Sequence, residues 1–180
     1  MTKNYSLWSM LVLVALILAG CAWGEQPDWD SEGDTLVLSS FWEGEISSNF
    51  VYYFAFDPDG DPLTGPSTDP ADWEESQKYY VVKWERSNFY LQKPGERETF
   101  FYDGRVEGNE IRIELSLEEM GNPGVVDIMV VSTDLGGNLK DYLERYFSVY
   151  TDRPYTSRED SLSDEEEPSA NLSRVEVEIR

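Results

Sequence analysis

Histidine is absent from this chain of 180 residues, and cysteine occurs once, as Cys21. Without histidine the chain cannot build a Ser-His-Asp or Cys-His catalytic group, or an imidazole ligand for a metal ion. A lone cysteine cannot close a disulfide within the chain. The commonest hydrolase designs are therefore excluded, and we expect a protein that is not an enzyme. A hydrolase with paired carboxylates is the remaining enzymatic alternative, but the sequence singles out no such pair among its 36 acidic residues.

Basic side chains are scarce, because 14 Lys and Arg stand against 36 Asp and Glu, for a formal net charge of −22. Nucleic-acid binding depends on basic groups that displace counterions from phosphates. So acidic a chain repels phosphate backbones and anionic headgroups, and we expect no nucleic-acid partner. Any membrane attachment must then come from a lipid. The simplest explanation of the excess acid is a solvated surface that keeps the protein soluble.

Residues 1–20 have the features of an export signal. Lys3 provides a positive start, and Leu11–Leu18 is an apolar run too short for the roughly 20 residues of a transmembrane helix. The run ends in Leu18-Ala19-Gly20-Cys21, which resembles the lipobox of bacterial lipoproteins. The resemblance implies that a signal peptide (1–20) is removed and that Cys21 is acylated. The protein would then be held in the bacterial cell envelope, outside the cytoplasmic membrane. The alternative is an uncleaved anchor with an incidental cysteine.

The rest of the chain is organised as short strands. Residues 21–34 are polar and turn-rich, which is typical of a tether. Segments rich in aromatic and β-branched residues then recur with turn signals about ten residues apart. This pattern predicts an all-β protein, with a single antiparallel β-sandwich domain over residues 35–150. The predicted strands are Thr35–Phe41, Phe50–Phe56, Gln77–Glu85, Asn88–Gln92, Glu98–Asp103, Glu110–Ser116, Val125–Thr133 and Tyr146–Tyr150.

The C-terminal residues and two short segments are less clear from their sequence. Residues 151–170 are acidic and poor in apolar side chains, so we expect a flexible loop there. Residues 171–180 alternate again, and form either a final strand at the sheet edge or a frayed tail. Leu117–Met120 and Leu139–Arg145 are expected to form short helices or single helical turns at most.

A candidate metal site follows the second predicted strand. Asp57, Asp59 and Asp61 alternate in a tight turn and could direct their carboxylates at one point, as a structural calcium ion requires. The segment is not an EF-hand loop, because Pro62 stands where that loop needs glycine. Asp-Pro and Asp-Gly are also ordinary turn sequences, so a plain turn is the alternative.

Aromatic side chains are candidates for ligand binding. The long connection from Pro58 to Ser76 carries Trp73, and Trp42 directly follows the first predicted strand. Their flat faces could stack on the apolar side of a sugar ring, or could simply fill the core. The same choice applies to Trp84, Tyr79, Tyr90 and Tyr102.

From about Phe50 to Leu143 the segments follow one another in a distinctive order. An aromatic strand runs into FAFDPDGDPLTGP, followed by RVEGNEIRIELSLEEMGNP, the apolar strand VVDIMVVSTD and a second acidic turn near Asp141. This layout resembles the β-sandwich superfamily that includes DOMON domains and family 9 carbohydrate-binding modules. The resemblance implies binding of sugar or haem on a sandwich face, with structural calcium in some members. Haem ligation there uses Met and His, and this chain has no His.

These patterns together favour a lipid-anchored envelope protein whose β-sandwich binds carbohydrate or another envelope component without catalysis. The alternative is a structural or assembly lipoprotein that docks on a partner protein. An exposed row of aromatic side chains on one sheet face would favour the first function. A long, bare edge strand would favour the second.

The lipid assignment is tested at Cys21. Two or three acyl chains hold a protein on a membrane, because each buried methylene contributes about 0.8 kcal/mol. We expect Cys21→Ala to release the protein from the membrane fraction or to leave it unprocessed, as seen by fractionation and mass spectrometry. A mature Cys21→Ala protein that stays on the membrane would contradict the assignment.

Overall fold

Two antiparallel β-sheets packed face to face account for most of the structure. A computed structural model describes residues 34–61, 63–97, 99–160 and 167–180. Within them the chain forms an all-β sandwich with one short helix, so the predicted fold class is confirmed. The predicted signal peptide, Cys21 and the tether as far as residue 33 lie outside the described residues, as do residues 161–166 of the predicted acidic loop.

The described elements follow one another along the chain as β1 (Thr35–Trp42), β2 (Phe50–Asp57), α1 (Pro70–Ser76), β3 (Tyr80–Glu85), β4 (Asn88–Gln92), β5 (Thr99–Tyr102), β6 (Arg105–Glu107), β7 (Glu110–Ser116), β8 (Val125–Asp134), β9 (Leu139–Tyr142), β10 (Phe147–Tyr150), β11 (Tyr155–Glu159) and β12 (Leu172–Ile179). Sheet A has the strand order β11-β12-β1-β7-β6. Sheet B has the order β10-β8-β2-β3-β4-β5, and β9 also pairs with β8.

Sheet A is apolar on one face and charged on the other, because its strands alternate strictly. On β7, Ile111, Ile113 and Leu115 are buried, as predicted, and the residues between them point outward. The outward side chains form ion pairs between residues two apart along one strand. Examples are Arg174 with Glu176 at 2.9 Å and Arg180 with Glu178 at 2.7 Å. Such exposed pairs contribute little stability and mark a solvated face.

Sheet B is covered on both faces along its central strand β2. Phe54 and Phe56 are fully buried toward sheet A, and Tyr52 meets Trp42 of sheet A edge to face at 4.7 Å between ring centroids. Ala55, on the opposite face of β2, is fully buried as well. The prediction that Phe50–Phe56 is a central strand is therefore confirmed, because both faces exclude water.

The C-terminal part of the chain differs from the prediction. Residues 151–170 contain β11, which pairs with β12, so this stretch is not a loop throughout. β11 escapes the sequence pattern because it is an exposed edge strand of polar residues, held mainly by backbone pairing. β12 lies between β11 and β1 and not at the sheet edge. Sheet A thus extends the domain beyond the predicted limit at residue 150.

Two further segments were assigned wrongly. Leu139–Tyr142 forms β9 and not a helical turn, because its backbone pairs with the end of β8. The connection after β2 contains the helix α1, which is only seven residues long. So short a helix carries too few turns to show a 3.6-residue repeat.

A buried polar network joins the start of β12 to sheet B. The Asp141 carboxylate is 3% exposed and accepts the backbone N–H of Leu172 at 2.6 Å and that of Tyr142 at 2.8 Å. The Ser132 hydroxyl donates to the carbonyl of Ala170 at 2.7 Å and accepts the N–H of Asp141 at 3.1 Å. These bonds satisfy backbone groups that would otherwise be buried without partners.

Removal of this network tests how much it contributes to the stability of the fold. We expect Asp141→Ala to lower the free energy of unfolding by about 2–4 kcal/mol, because two buried N–H groups lose a charged acceptor. The measurement is urea denaturation followed by tryptophan fluorescence. Glu144→Ala, at an exposed position two residues from the end of β9, should change stability by less than about 0.5 kcal/mol. Equal losses in the two variants would contradict the assignment.

Candidate functional site

The helix α1 lies over the outer face of sheet B, and its ends are well defined by local sequence. The Asp69 side chain caps the N-terminus by accepting the N–H of Ala71 at 2.9 Å, and Pro70 follows at the first helical position. Gln77 ends the helix in the left-handed conformation at φ 52°, and its N–H bonds to the carbonyl of Trp73. The segment is therefore a helix with both ends capped, and it forms a defined cover on this face of the sheet.

Trp73 anchors α1 to sheet B. Its side chain is fully buried, its indole N–H donates to the carbonyl of Ser67 at 3.0 Å, and its ring meets Tyr53 of β2 edge to face at 6.4 Å. Gly65 allows the same segment to approach Tyr146, because a Cβ at this position would lie 2.5 Å from the tyrosine ring. The segment between β2 and β3 thus covers one half of the outer face.

Neither of the two tryptophans predicted to bind a ligand presents a face to solvent. Trp42 is 1% exposed and packs between the sheets, where its indole N–H donates to Ser40 at 3.1 Å. Trp73 is 0% exposed beneath α1. Both rings are core side chains in this structure, and neither supplies the stacking surface that the sequence suggested.

The three aspartates predicted to bind calcium form successive turns, each closed by a hydrogen bond from the backbone to the aspartate side chain. Oδ1 of Asp57 accepts the N–H of Asp59 at 3.1 Å, Asp59 accepts that of Asp61 at 2.7 Å, and Asp61 accepts that of Leu63 at 3.1 Å. Each carboxylate therefore serves its own backbone two residues on, as turn aspartates commonly do. Across the described part of the chain, no three acidic, cysteine or histidine side chains converge as a metal site.

Asp57 has a neighbour that the sequence did not reveal. It stands directly opposite Asp127 in the pairing of β2 with β8, and the two side chains are 4% and 1% exposed. Burial raises the pKa of Asp57 to about 6, and the nearby charges of Asp59 and Asp127 act in the same direction. Burial likewise raises the pKa of Asp127, with contributions from Asp59 and Asp61. Both carboxyls are thus shifted upward, so the pair lacks the opposed shifts of a glycosidase acid and base.

The uncovered half of the outer face carries an aromatic platform, defined here as Lys83, Tyr90 and Phe101 of β3, β4 and β5. These three residues are register partners across neighbouring strands and therefore share one face. The Tyr90 and Phe101 rings lie 5.5 Å apart at an angle of 31°, and Phe101 is 82% exposed. The Lys83 ammonium lies 5.7 Å from the centre of Tyr90 and 6.0 Å from that of Tyr53. The platform is thus a partly exposed aromatic surface of two mutually tilted rings, with a cation at its inner end.

A polar groove of about 450 Å³ continues from the platform toward α1. Gln92 and Thr99 lie two residues along their strands from Tyr90 and Phe101, so groove and platform share the same face. The groove is lined by Glu74, Glu75, Gln77, Lys83, Gln92, Arg97 and Thr99. Amide, hydroxyl, carboxylate and cationic groups therefore all stand beside the aromatic rings.

The floor of the groove is braced by hydrogen bonds. The Gln92 amide, 4% exposed, donates to the carbonyl of Glu96 at 2.9 Å and to that of Glu74 at 3.4 Å. The N–H of Gly95 donates to the carbonyl of Gln77 at 2.8 Å. The β4–β5 turn and the end of α1 are thereby joined, so the groove is formed in advance of any ligand.

The sequence identified this site only in part. Tyr90 was among the candidate aromatics, whereas Phe101 and Lys83 were not. The signal that could have identified them is the pairing register of neighbouring strands, which aligns Lys83 of β3 with Tyr90 of β4 and Tyr90 with Phe101 of β5. Trp84 and Tyr102 lie elsewhere: Trp84 packs on Tyr52 at 5.4 Å, and the Tyr102 hydroxyl bonds to the backbone of Glu114 in β7.

Comparison of the chain with protein-family models, curated proteins and solved structures gives no match. Among the described residues there is no helix with the length and apolar character to cross a membrane. The functional argument therefore depends on the geometry of the site.

The Asp57 carboxyl makes stability depend on pH. Its folded pKa of about 6 exceeds the ordinary value of 3.8, so the folded chain binds this proton more tightly than the unfolded chain does. The negative charge of Asp57 thus lowers the free energy of unfolding above about pH 6. This loss of stability disappears as the pH falls toward about 4, because the carboxyl is then protonated in the folded state. With a chelator present, we expect Asp57→Asn to stabilise the protein at about pH 7.5 by roughly 1–2 kcal/mol, after allowance for solvent screening at the end of β2.

Urea denaturation at about pH 7.5 and about pH 4 provides the measurement. Asparagine keeps the Oδ1 acceptor for the N–H of Asp59, so charge is the main change. The gain should be small near pH 4, where the wild-type carboxyl is protonated in the folded state. Asp103→Asn, at an exposed turn, is the control for loss of surface charge. A gain of the same size at both pH values would show that burial of the charge is not its cause.

Proposed function

We propose that this protein is a lipid-anchored component of a bacterial cell envelope, and that the outer face of sheet B binds carbohydrate without catalysis. The observation that carries the proposal is the aromatic platform with its adjoining groove. Phe101 and Tyr90 offer flat apolar surfaces, which suit the CH face of a sugar ring. The groove beside them offers donors and acceptors for hydroxyl groups.

The charge of the groove indicates which glycans fit. Its lining contains two carboxylates, Glu74 and Glu75, and two cationic groups, Lys83 and Arg97. With Glu85, which pairs with Lys83 at 3.4 Å, three carboxylates stand against two cations, so the groove carries only a small negative charge in a chain of net charge −22. A neutral polyhydroxyl ligand meets no net repulsion there, and we propose neutral glycans as the ligand class.

Attachment to the membrane rests on the lipobox resemblance at Cys21 and on the shortage of basic residues. A strongly acidic domain gains nothing from an anionic membrane surface. Lipid on Cys21 would keep the domain at the envelope, with residues 22–34 as the tether.

Docking on a partner protein is the second candidate function, and β5 is the observation in its favour. This edge strand of sheet B exposes Phe101 and also Phe100, which is 48% exposed. β5 has only four residues, however, and short edges are a common defence against strand pairing with other chains. The glycan function is therefore preferred.

A glycan panel tests the preferred function. The full chain is purified in a detergent without a sugar headgroup, and its thermal unfolding is recorded with soluble neutral glycans. Ligand at a hundred times its Kd stabilises the folded state by about 2.7 kcal/mol, or roughly 5–10 °C in Tm. We expect such a shift with at least one neutral glycan.

Variants then locate the binding site. Tyr90→Ala and Phe101→Ala should each weaken glycan binding about tenfold, because each removes a stacking surface. Tyr155→Ala is the matched control, since Tyr155 is 55% exposed but lies on β11 of sheet A. A panel without any shift, or equal binding by all variants, would contradict the proposal. Crosslinking of Phe101 to an envelope protein would then support docking.

A further inference from the structure

Three parts of the chain meet at one end of the sandwich. Thr35 and Arg180 exchange backbone hydrogen bonds there. The connection from β10 to β11, residues 151–154, crosses the same end, because the carbonyl of Pro154 accepts the N–H of Ile179 at 3.1 Å. Residues 22–34, proposed above as the tether, lead directly into Thr35. This end, called the tether end below, is therefore the end at which a lipid anchor would hold the domain.

An exposed patch of Tyr150, Arg153 and Tyr155 lies at the tether end, and we call it the tether-end patch. Tyr150 ends β10 and is 40% exposed, and Tyr155 begins β11 and is 55% exposed. The Arg153 guanidinium lies 4.6 Å from the centre of the Tyr150 ring. Four residues separate the tyrosines, so their Cα atoms are at most about 18 Å apart. The N–H of Thr151 donates to the carbonyl of Gly124 and that of Arg153 to Tyr150, which fixes the connection between them.

The side chains of the tether-end patch suit the boundary between water and lipid. Tyrosine combines an apolar ring with a polar hydroxyl, and arginine combines an apolar stem with a charged head. Both can place their apolar parts against lipid while their polar parts stay hydrated. Tyrosine is enriched at membrane–water interfaces for this reason. The patch therefore has the chemistry of a surface that rests among headgroups.

The charge of the tether end indicates which headgroups fit. Its charged side chains include two cations, Arg153 and Arg180, and a larger set of acids, Asp34, Glu118, Asp152 and Glu178. Arg180 is already paired with Glu178 at 2.7 Å. An anionic surface would therefore meet net repulsion, as expected for so acidic a chain. Zwitterionic headgroups carry no net charge, so they meet the patch without this penalty.

We propose that the tether-end patch rests on the zwitterionic headgroups of the membrane that holds the lipid on Cys21. This inference rests on the lipid anchoring proposed above. Twelve residues, 22–33, separate Cys21 from the described domain, and even when fully extended they span no more than about 45 Å. The anchor thus keeps the tether end closest to the lipid. With this end on the membrane the strands rise from its surface, and the aromatic platform, on a sheet face, stays accessible.

A fluorophore sensitive to polarity tests the contact. Acylation of Cys21 leaves no other thiol in the chain, so a cysteine placed by Asp152→Cys, at an exposed position beside Arg153, can be labelled alone. The lipidated chain is reconstituted in phosphatidylcholine vesicles. We expect the label to emit at shorter wavelength than in water and to lose emission when the vesicles contain lipid with a spin-labelled headgroup. Leu135→Cys is the matched control, because Leu135 is 50% exposed and lies beyond the far end of β8, about 30 Å away. Its label should show neither change.

Replacement of both tyrosines decides whether the patch makes the contact. In the labelled Asp152→Cys chain, Tyr150→Ser together with Tyr155→Ser should return the emission to that of the Leu135→Cys control. Leu139→Ser, at a residue 46% exposed beside the far turn, should leave the Asp152→Cys signal unchanged. Unaltered tryptophan fluorescence shows that each variant folds.

Two results would overturn the proposal: a label at Asp152→Cys as exposed to water as that of the control, or a contact that survives loss of both tyrosines. Recovery of the wild-type chain apart from the vesicles would instead refute the lipid anchor, and this inference with it. The two failures are thus distinguishable. Glycan binding is measured separately and does not depend on either result.

Discussion

The buried contact between Asp141 and the backbone of Leu172 is the interaction on which the sandwich most depends. Asp141 belongs to the β9 edge of sheet B, whereas Leu172 begins β12, which lies inside sheet A. With Ser132 and the carbonyl of Ala170, the network fixes where the last strand enters its sheet. A buried acceptor is costly unless it is fully bonded, so a register of β12 that moved the N–H of Leu172 away from Asp141 would lose this bond and be less stable.

The two faces of sheet B are used differently. The inner face packs against sheet A, and the outer face is divided by the segment that contains α1. Trp73 seals the half over β2, while the half over β3, β4 and β5 remains open and carries Tyr90 and Phe101. An aromatic side chain in the sealed half contributes to stability, and one in the open half is available to a ligand. The covering segment therefore determines which aromatic residues of this face are buried and which are exposed.

Much of the fold could be predicted from sequence, because alternation of apolar residues is a local signal. The bounds of Glu110–Ser116 were predicted to the residue, and the same pattern indicated residues 171–180 as a possible final strand, where β12 lies. β11 was missed because its stability comes from a neighbour 15 residues or more away and not from its own polar sequence. α1 was missed because it is short, and its Trp73 looked like an exposed ligand-binding residue for lack of any sign of what covers it.

The candidate sites were harder to predict because they depend on pairing between strands. Asp57 was singled out for its loop neighbours Asp59 and Asp61, whereas a further carboxylate, Asp127, lies 70 positions along the chain and is adjacent only through the β2–β8 register. Likewise, Phe101 belongs to the aromatic platform only because strand pairing places it beside Tyr90. Sequence composition shows which side chains are available, whereas register decides which of them meet.

The position of β12 also governs the order in which this domain can assemble. Thr35 and Arg180 exchange backbone hydrogen bonds at 2.8 and 3.0 Å, so the first strand and the last are neighbours in sheet A. A chain that emerges amino end first cannot close this sheet until its final strand has emerged. Until then β1 lacks one of its two partners, and sheet A is incomplete. Closure of sheet A therefore depends on pairing between segments that are far apart in sequence, and pairing of this kind is intrinsically slow.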